Sequence, residues 1–176
     1  MVYKVVRYLN SPILEKVAAP VTEFDTAELH RTIDDMFETM YASHGVGLAA
    51  PQVNLGLRLL IIDITGGEPE EGEIQEKIVM INPEVIARAG KQTGEEGCLS
   101  IPGFREPVTR PQNTTVRAQN AKGEWFELTG EDLLARAMLH EIDHLNGVLF
   151  LNHLSALKRD LIKRKIKKLQ RAGEWE

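Results

Sequence analysis

One segment near the C-terminus combines metal chemistry with a requirement for helical structure. His140 and His144 are four residues apart, and Glu141 lies between them. On an α-helix, residues i and i+4 share one face, so the two imidazoles can bind a single metal ion. Glu141 is rotated by about 100° from the first histidine, which suits a position beside the metal better than a ligand role. This arrangement is typical of metal-assisted hydrolysis.

The residues around this motif favour a helix in the protein core. Leu133, Leu134, Ala137 and Met138 recur at helical spacing before His140, and Gly147 follows as a helix terminator. The alternative is a chance histidine pair on a core helix. That alternative leaves Glu141 unexplained, because a buried charge without a partner is costly.

Composition restricts the class of protein. A chain of 176 residues can form one domain with a substantial core, and we predict a single domain over residues 1–176. A formal net charge of −5 argues against a general nucleic-acid-binding protein, so we expect no DNA partner, although a local basic patch is compatible with this charge. No apolar run approaches the roughly 20 residues that span a bilayer, and residues 1–12 lack the features of a signal peptide. The only cysteine, Cys98, rules out an intramolecular disulfide. We therefore expect a cytoplasmic protein without membrane association.

Hydrophobic patterning predicts an α+β fold. A first helix is expected over 26–41, a loop over 44–52, a strand over 57–64 and a solvated loop over 65–76. Two strands, 78–81 and 85–89, are expected to be broken at Asn82-Pro83, and 114–118 and 124–128 should form a hairpin. The metal-binding helix and a basic helix over about 155–171 follow. Because the helices flank a run of antiparallel-looking strands and do not alternate with them, we expect an α+β fold with a C-terminal helix.

A hydrolytic metal site usually has three protein ligands and one open position, so a third ligand is needed. His30 reads as a surface residue and His153 as a structural one. Cys98 is a stronger candidate, because Gly97 allows close backbone approach, Pro102 should end the segment, and thiolates bind zinc and ferrous iron well. A lone cysteine is nevertheless more often an inert core residue. Its neighbours alone leave both interpretations open.

Three segments in order carry a resemblance to a known family. They are GVGLAAPQ at 45–52, EGCLS at 96–100 and HEIDH at 140–144. These segments resemble the three signature motifs of the peptide deformylases, GxGxAAxQ, EGCxS and HExxH, without a departure. The resemblance covers roughly residues 1–170. It implies an α+β fold in which antiparallel strands pack around a central metal-binding helix. It also implies a metal held by Cys98, His140 and His144, with Fe²⁺ expected in the cell and Zn²⁺, Ni²⁺ or Co²⁺ in purified protein.

The resemblance also implies a reaction, the removal of the formyl group from the N-terminal formylmethionine of nascent peptides. Glu141 would act as general base and then as general acid. The Gln52 side-chain amide and the Leu99 backbone N–H would stabilise the oxyanion together with the metal. Arg136 is expected to direct its stem to the pocket and its charge to solvent. The residues expected to contact substrate are Val46, Gly47, Leu133 and Ala137, with Arg105 at the rim of the cleft.

Other interpretations of the motifs remain as alternatives. A zincin-like metallopeptidase also has HExxH, but it takes its third ligand from downstream, where candidates here are sparse. A structural metal protein usually has a closed four-ligand site, and only three ligands are available. The segment 45–50 satisfies a relaxed dinucleotide-binding pattern, yet it follows a helix and precedes Pro51, which is the wrong context. Its two glycines more plausibly let the backbone approach a substrate.

Two further expectations concern charged residues. Asp143 lies on the flank of the metal helix and needs a basic partner, for which Arg110 is the best candidate. The basic helix over 155–171 has an apolar stripe and a cationic face, which predicts an amphipathic helix. That face is either simply solvated or a docking surface for ribosomal RNA. In the second case, removal of the helix should leave turnover of short peptides intact.

Overall fold

The computed structural model describes residues 1–176 and has three α-helices and seven β-strands. Short 3-10 turns lie at Pro12–Glu15, Ala50–Val53 and Phe150–His153. No helix combines the length and the apolar character needed to cross a membrane. The elements in chain order are α1 (Ala27–Ala42), β1 (Gly47–Ala49), β2 (Leu59–Ile62), β3 (Ile78–Ala89), β4 (Gln92–Cys98), β5 (Ile101–Arg110), β6 (Asn113–Gln119), β7 (Trp125–Glu131), α2 (Asp132–Leu145) and α3 (Ala156–Arg171).

The strands form two antiparallel sheets, which confirms the α+β prediction. The larger sheet has the order β1-β2-β3-β6-β7, and the smaller one is the β4–β5 hairpin. Strand β2 is buried throughout, and its alternating side chains serve two different cores. Leu60 and Ile62 pack with Met138 and Ile142 of α2, which places the motif helix at the centre of the molecule.

The opposite face of the larger sheet is covered by α1. Leu59 and Ile61 of β2 pack there with Ile33, Met36 and Phe37 of that helix. The helix was predicted over 26–41, and Thr26 is its N-cap, where its hydroxyl accepts a hydrogen bond from the Leu29 amide. The sheet is therefore held between α1 and α2, and the metal-type motif is built on a rigid support.

The C-terminal helix was also correctly predicted. Ser155 caps α3, with its side chain accepting from the Lys158 amide. Ile162 and Ile166 are buried in a third core together with Tyr8, Ile101 and Trp175. Since Ile101 begins strand β5, this helix supports the smaller sheet.

Three local predictions were wrong. Residues 78–89 form one strand, because Asn82 adopts a positive φ of 51° at a bulge and its side chain bonds to the backbone of Val21. Part of the expected loop before Gln52 is strand β1. The β4–β5 hairpin was missed, and Pro102 lies inside β5 instead of ending the segment. The mostly polar, half-exposed residues of this hairpin have no clear apolar alternation.

Candidate metal centre and active site

The structure brings the three sequence-predicted metal ligands together. His140 and His144 lie one turn apart on α2, with ring centroids 5.0 Å apart. One donor atom from each of Cys98, His140 and His144 lies within 4.8 Å of the others. The Cys98 Sγ atom is 3.4 Å from Nε2 of His144. The helix determines the spacing of the imidazoles, whereas the sulfur arrives from the end of β4 on the smaller sheet.

The chemistry of this trio fits a transition-metal ion. One sulfur and two imidazole nitrogens suit zinc, iron, nickel and cobalt. Burial lowers the pKa of His144 well below its usual value, which keeps that imidazole in the neutral form that binds metals. The Nδ1 atom of His140 bonds to Glu96 at 2.8 Å, so its Nε2 atom is the one left for a ligand role.

Glu141 is buried next to His140 on α2. Its Oε1 atom has no hydrogen-bond partner within the protein. Burial raises the pKa of Glu141 to about 7, against the opposing charge of His140. An unpaired buried carboxylate is costly, and natural proteins keep such groups chiefly where chemistry uses them.

Gly47 makes room for that carboxylate. A Cβ atom at position 47 would lie 2.6 Å from Glu141 Oε2, closer than real side chains approach. The sequence predicted that glycine here serves close backbone approach to a substrate. The structure shows a close approach between strand β1 and the carboxylate on α2, and the approach to a substrate stays a prediction.

Gln52 and Leu99 lie on two segments that meet at Cys98. The buried Gln52 side chain accepts from the Ala49 amide at 2.9 Å, which fixes the amide orientation. Its Nε2 group donates to Ser100 Oγ at 3.3 Å and lies 3.5 Å from Cys98 Sγ. Leu99 occupies the turn between β4 and β5. Both proposed oxyanion donors therefore border the trio.

A cleft of about 640 Å³ opens beside these groups. It lies between α2 and the β4–β5 hairpin. Leu133, in the first turn of α2, is nearly half exposed at this cleft, whereas Ala137 is buried. Arg105 is exposed, with a loose ion pair to Glu95 at 3.7 Å, as expected of a rim residue. All five residues expected to contact substrate line the cleft: Val46, Gly47, Arg105, Leu133 and Ala137.

The expectation for Arg136 was wrong. Its guanidinium does not reach solvent, because Nη1 donates to Glu96 Oε2 at 2.5 Å and to the Val108 carbonyl at 3.0 Å. Arg136 is buried and connects helix α2 to both strands of the hairpin through Gly94 and Val108. Glu96 would be left with less compensation for its buried charge if Arg136 turned to solvent, so the ion pair between them is favoured over solvation of the guanidinium.

Glu96 is the buried carboxylate that pairs with Arg136, and the sequence analysis did not identify its role. Its carboxylate also accepts two hydrogen bonds from Arg110, at 2.7 and 2.9 Å, and one from His140. Burial opposes ionisation, but the hydrogen bonds and charges of Arg110 and His140 outweigh it and hold the pKa of Glu96 well below its usual range. Its position in the EGCLS segment, two residues before Cys98, was the signal that the sequence offered.

The predicted pairing of Asp143 is confirmed. Arg110 Nη1 donates to Asp143 Oδ2 at 2.9 Å, and His153 lies 2.8 Å from the same oxygen. The expectation that His153 is structural agrees with this contact. A continuous polar network thus runs from His140 through Glu96, Arg110 and Asp143 to the surface.

Known proteins share this arrangement of sequence and fold. The family model described as polypeptide deformylase matches residues 2–160. The chain belongs to the polypeptide deformylase family. It is 56% identical over 175 residues to a peptide deformylase of Acidobacterium capsulatum, covering 99% of each chain. It is 48% identical to one from Alkalilimnicola ehrlichii, covering 92% of this chain and 88% of the relative.

Solved structures agree with the family assignment. The crystal structure of a peptide deformylase from Legionella pneumophila superimposes with a TM-score of 0.88 and 44% identity, covering 100% of this chain and 99% of that one. Enzymes of this family remove the N-formyl group from N-terminal formylmethionine of new polypeptides. Family membership decides against the two alternatives, a zincin-like metallopeptidase and a structural metal protein.

Proposed function

We propose that this chain carries out deformylation with Cys98, His140 and His144 as the ligands of one divalent metal ion and Glu141 as the proton carrier. The supporting observation is the convergence of the three donor atoms within 4.8 Å beside a buried carboxylate oxygen that has no protein partner. Deformylation rather than peptide-bond cleavage follows from the family, whose formylated substrates present a small terminal carbonyl.

The ion supplies Lewis acidity and lowers the pKa of bound water. The donor set is compatible with several metals, and the softness of the thiolate favours ions such as iron and zinc over magnesium or calcium. We propose Fe²⁺ in the cell and Zn²⁺, Ni²⁺ or Co²⁺ as substitutes in purified protein. A ferrous site with a thiolate ligand would be sensitive to oxidation.

Glu141 would move protons in both directions. It takes a proton from the attacking water and returns one to the nitrogen of the departing peptide. A pKa of about 7 suits a group that must accept and donate near neutrality, and a bound cation would favour its ionised form. The free Oε1 atom is available for that water because no protein donor occupies it.

Gln52 and Leu99 would stabilise charge on the formyl oxygen. The Gln52 amide is held by the Ala49 N–H, so its NH₂ group faces the Cys98 sulfur and the cleft. The backbone N–H of Leu99 adds a second donor from the adjacent turn. Removal of one such donor typically lowers the rate about 10²–10³-fold.

The methionine side chain would occupy the apolar part of the cleft. Val46 from the segment before β1 and Leu133 and Ala137 from α2 form this wall. Gly47 keeps the nearby backbone close to Glu141, and Arg105 lies at the rim, where the peptide continues outward. The substrates are nascent polypeptides, so we place the chain in the cytoplasm, where they are made.

Formate release tests the function directly. Anaerobically purified protein loaded with Fe²⁺, Ni²⁺ or Co²⁺ should release formate from formyl-Met-Ala-Ser, whereas the acetylated peptide should be inert. Exchange of Glu141 for glutamine should abolish release while metal content stays the same. Absence of formate with every metal would refute the proposal.

Ribosome docking through α3 is a second proposal, supported by the cationic residues on the exposed face of this helix. Deletion of α3 is not a clean test, because Ile162 and Ile166 are buried against Ile101 near Cys98. Charge reversal at exposed Lys165 and Lys168 should weaken co-sedimentation with ribosomes and flatten its salt dependence. The same reversal at exposed Lys91 and Lys122, far from α3 in the chain, is the matched control. Equal co-sedimentation of both variants and the wild type would contradict docking.

A further inference from the structure

The N-terminal arm contacts both segments that carry the proposed oxyanion donors. The Val6 amide donates to the Gln52 carbonyl at 2.8 Å, and the Tyr8 amide donates to the Ser100 carbonyl at 2.9 Å. The Gln52 side chain closes this ring of contacts by donating to Ser100 Oγ. Three segments that are far apart in the sequence are thus joined at one point beside Cys98.

Arg7 adds a side-chain contact to the same turn. Its Nη1 group donates to the Leu99 carbonyl at 3.0 Å and to the Val5 carbonyl at 3.3 Å. The side chain is half-buried, and no carboxylate is among its hydrogen-bond partners. Its charge is directed at backbone carbonyls, an arrangement that holds a peptide unit in one orientation.

Trp175 fixes the arm from its other side. The indole N–H donates to the Tyr8 carbonyl at 2.7 Å, and the ring is buried with Tyr8 and Ile101. Asn10 donates to the Trp175 carbonyl at 2.9 Å, which completes a second contact. The backbone of Tyr8 therefore bonds to Ser100 through its N–H and to Trp175 through its C=O.

We propose that Arg7 and Trp175 are positioning residues that hold the Leu99–Ser100 turn against Gln52 and thereby align the two oxyanion donors. Neither side chain lines the cleft that we assign to the substrate. The inference rests on the roles proposed above for Gln52 and Leu99. A loose turn would displace the Leu99 N–H, and small misplacements of such donors reduce rates without preventing substrate binding.

Two substitutions remove the side-chain hydrogen-bond donors of the positioning residues and keep most of the packing. Trp175→Phe deletes the indole N–H but retains an aromatic ring in the core, and Arg7→Met keeps an unbranched chain without donors. We expect kcat to fall about 3–10-fold for Trp175→Phe and about 10-fold for Arg7→Met, below the loss for a deleted donor. The KM for formyl-Met-Ala-Ser and the metal content should not change. Arg7→Lys should recover part of the loss.

Matched controls are available elsewhere in the chain. Trp125 is half exposed on β7, and Arg88 is exposed on β3. Trp125→Phe and Arg88→Met should leave kcat unchanged. Loss of metal or a rise in KM together with the fall in kcat would show a general structural role and overturn the proposal.

Amide hydrogen exchange provides a readout that does not depend on activity. In Trp175→Phe the Tyr8 amide should exchange about tenfold faster, whereas amides within α1 should be unaffected. Unchanged Tyr8 exchange would show that the hydrogen bond from Trp175 does not hold the N-terminal arm in place. If the Tyr8 amide of Trp175→Phe exchanges faster but kcat is unchanged, while Gln52→Ala has a lowered kcat, Trp175 does not position the oxyanion donors. Full activity of Gln52→Ala would instead refute the proposed oxyanion role of Gln52. The Tyr8 exchange rate would still show whether Trp175 holds the N-terminal arm.

Discussion

The cleft has a helical wall, formed by α2, and a hairpin wall, formed by β4 and β5. The two walls are built by different means. Helix α2 is packed against the five-stranded sheet, and its regular geometry alone determines the spacing of His140 and His144. The β4–β5 hairpin pairs only with itself among the strands. It is held to the helix by Arg136 and Arg110, which meet at Glu96. One half of the site is thus set by local periodicity and the other half by polar contacts between distant residues.

The largest expected effect concerns the helical wall. Glu141→Gln removes the proton carrier but keeps its shape, and kcat should fall by about 10³-fold or more, since general acid–base catalysis contributes about 10²–10⁴-fold and a fixed amide cannot exchange the proton. Metal content measured by atomic emission should equal that of the wild type. A variant that loses its metal stoichiometrically would make Glu141 a ligand and contradict the assignment.

The matching change in the hairpin wall should act on the metal and on stability. Glu96→Gln leaves Arg110 and Arg136 without their buried anion, which should lower metal affinity about 10–100-fold and the free energy of unfolding by ~3–5 kcal/mol. Metal competition and urea denaturation measure the two effects.

Glu95→Gln is the control for this change, because Glu95 is exposed and pairs only loosely with Arg105. It should alter neither quantity. If Glu96→Gln were equally silent, the hairpin would be held by packing, and the contrast between the two walls would disappear.

The contrast also explains what sequence could predict. The helices α1, α2 and α3 were found because their apolar residues repeat at helical spacing, and the ligand pair was found by the same rule. The hairpin was missed because its strands lack a clear apolar alternation. The role of Glu96 and the orientation of Arg136 were missed because they depend on partners 14 and 40 residues away. Cys98 was identified as a ligand only through the family resemblance, because its neighbours also allow an inert cysteine.

A smaller effect is expected where the sheet meets the helical wall. Gly47→Ala would place a Cβ atom within contact distance of Glu141 Oε2, so the carboxylate must shift. We expect kcat to fall about tenfold, because displaced catalytic groups lose much of their effect. In Gly56→Ala the new methyl group meets nothing within 4 Å, and activity should be unchanged. Full activity of Gly47→Ala would show that Glu141 tolerates displacement.

The smallest effect lies at a buried carboxylate outside both walls. Asp63 is fully buried, yet hydrogen bonds from Thr65, Tyr41 and Gln75 outweigh burial and lower its pKa below the ordinary value of 3.8. A lowered pKa in the folded state stabilises the fold above that value, and this stabilisation is lost as pH falls through the folded pKa.

Asp63→Asn should therefore reduce the free energy of unfolding by about 1–3 kcal/mol at pH 7, and the difference should shrink below pH 4. Urea denaturation at pH 7 and at pH 3 measures it. A difference that is the same at both pH values would assign the effect to packing and not to charge.

The network from His140 to His153 also restricts how relatives of this chain can diverge. A change at Glu96, Arg110 or Arg136 alone leaves a buried charge uncompensated, so accepted substitutions must come in sets. Because Glu96 belongs to the EGCxS motif, deformylases that keep this glutamate should also keep basic residues at positions 110 and 136, and any relative that lacks it should have changed those positions together, with a weaker link from 110 to 143. The path from one viable sequence to another at these positions passes through paired replacements rather than single steps.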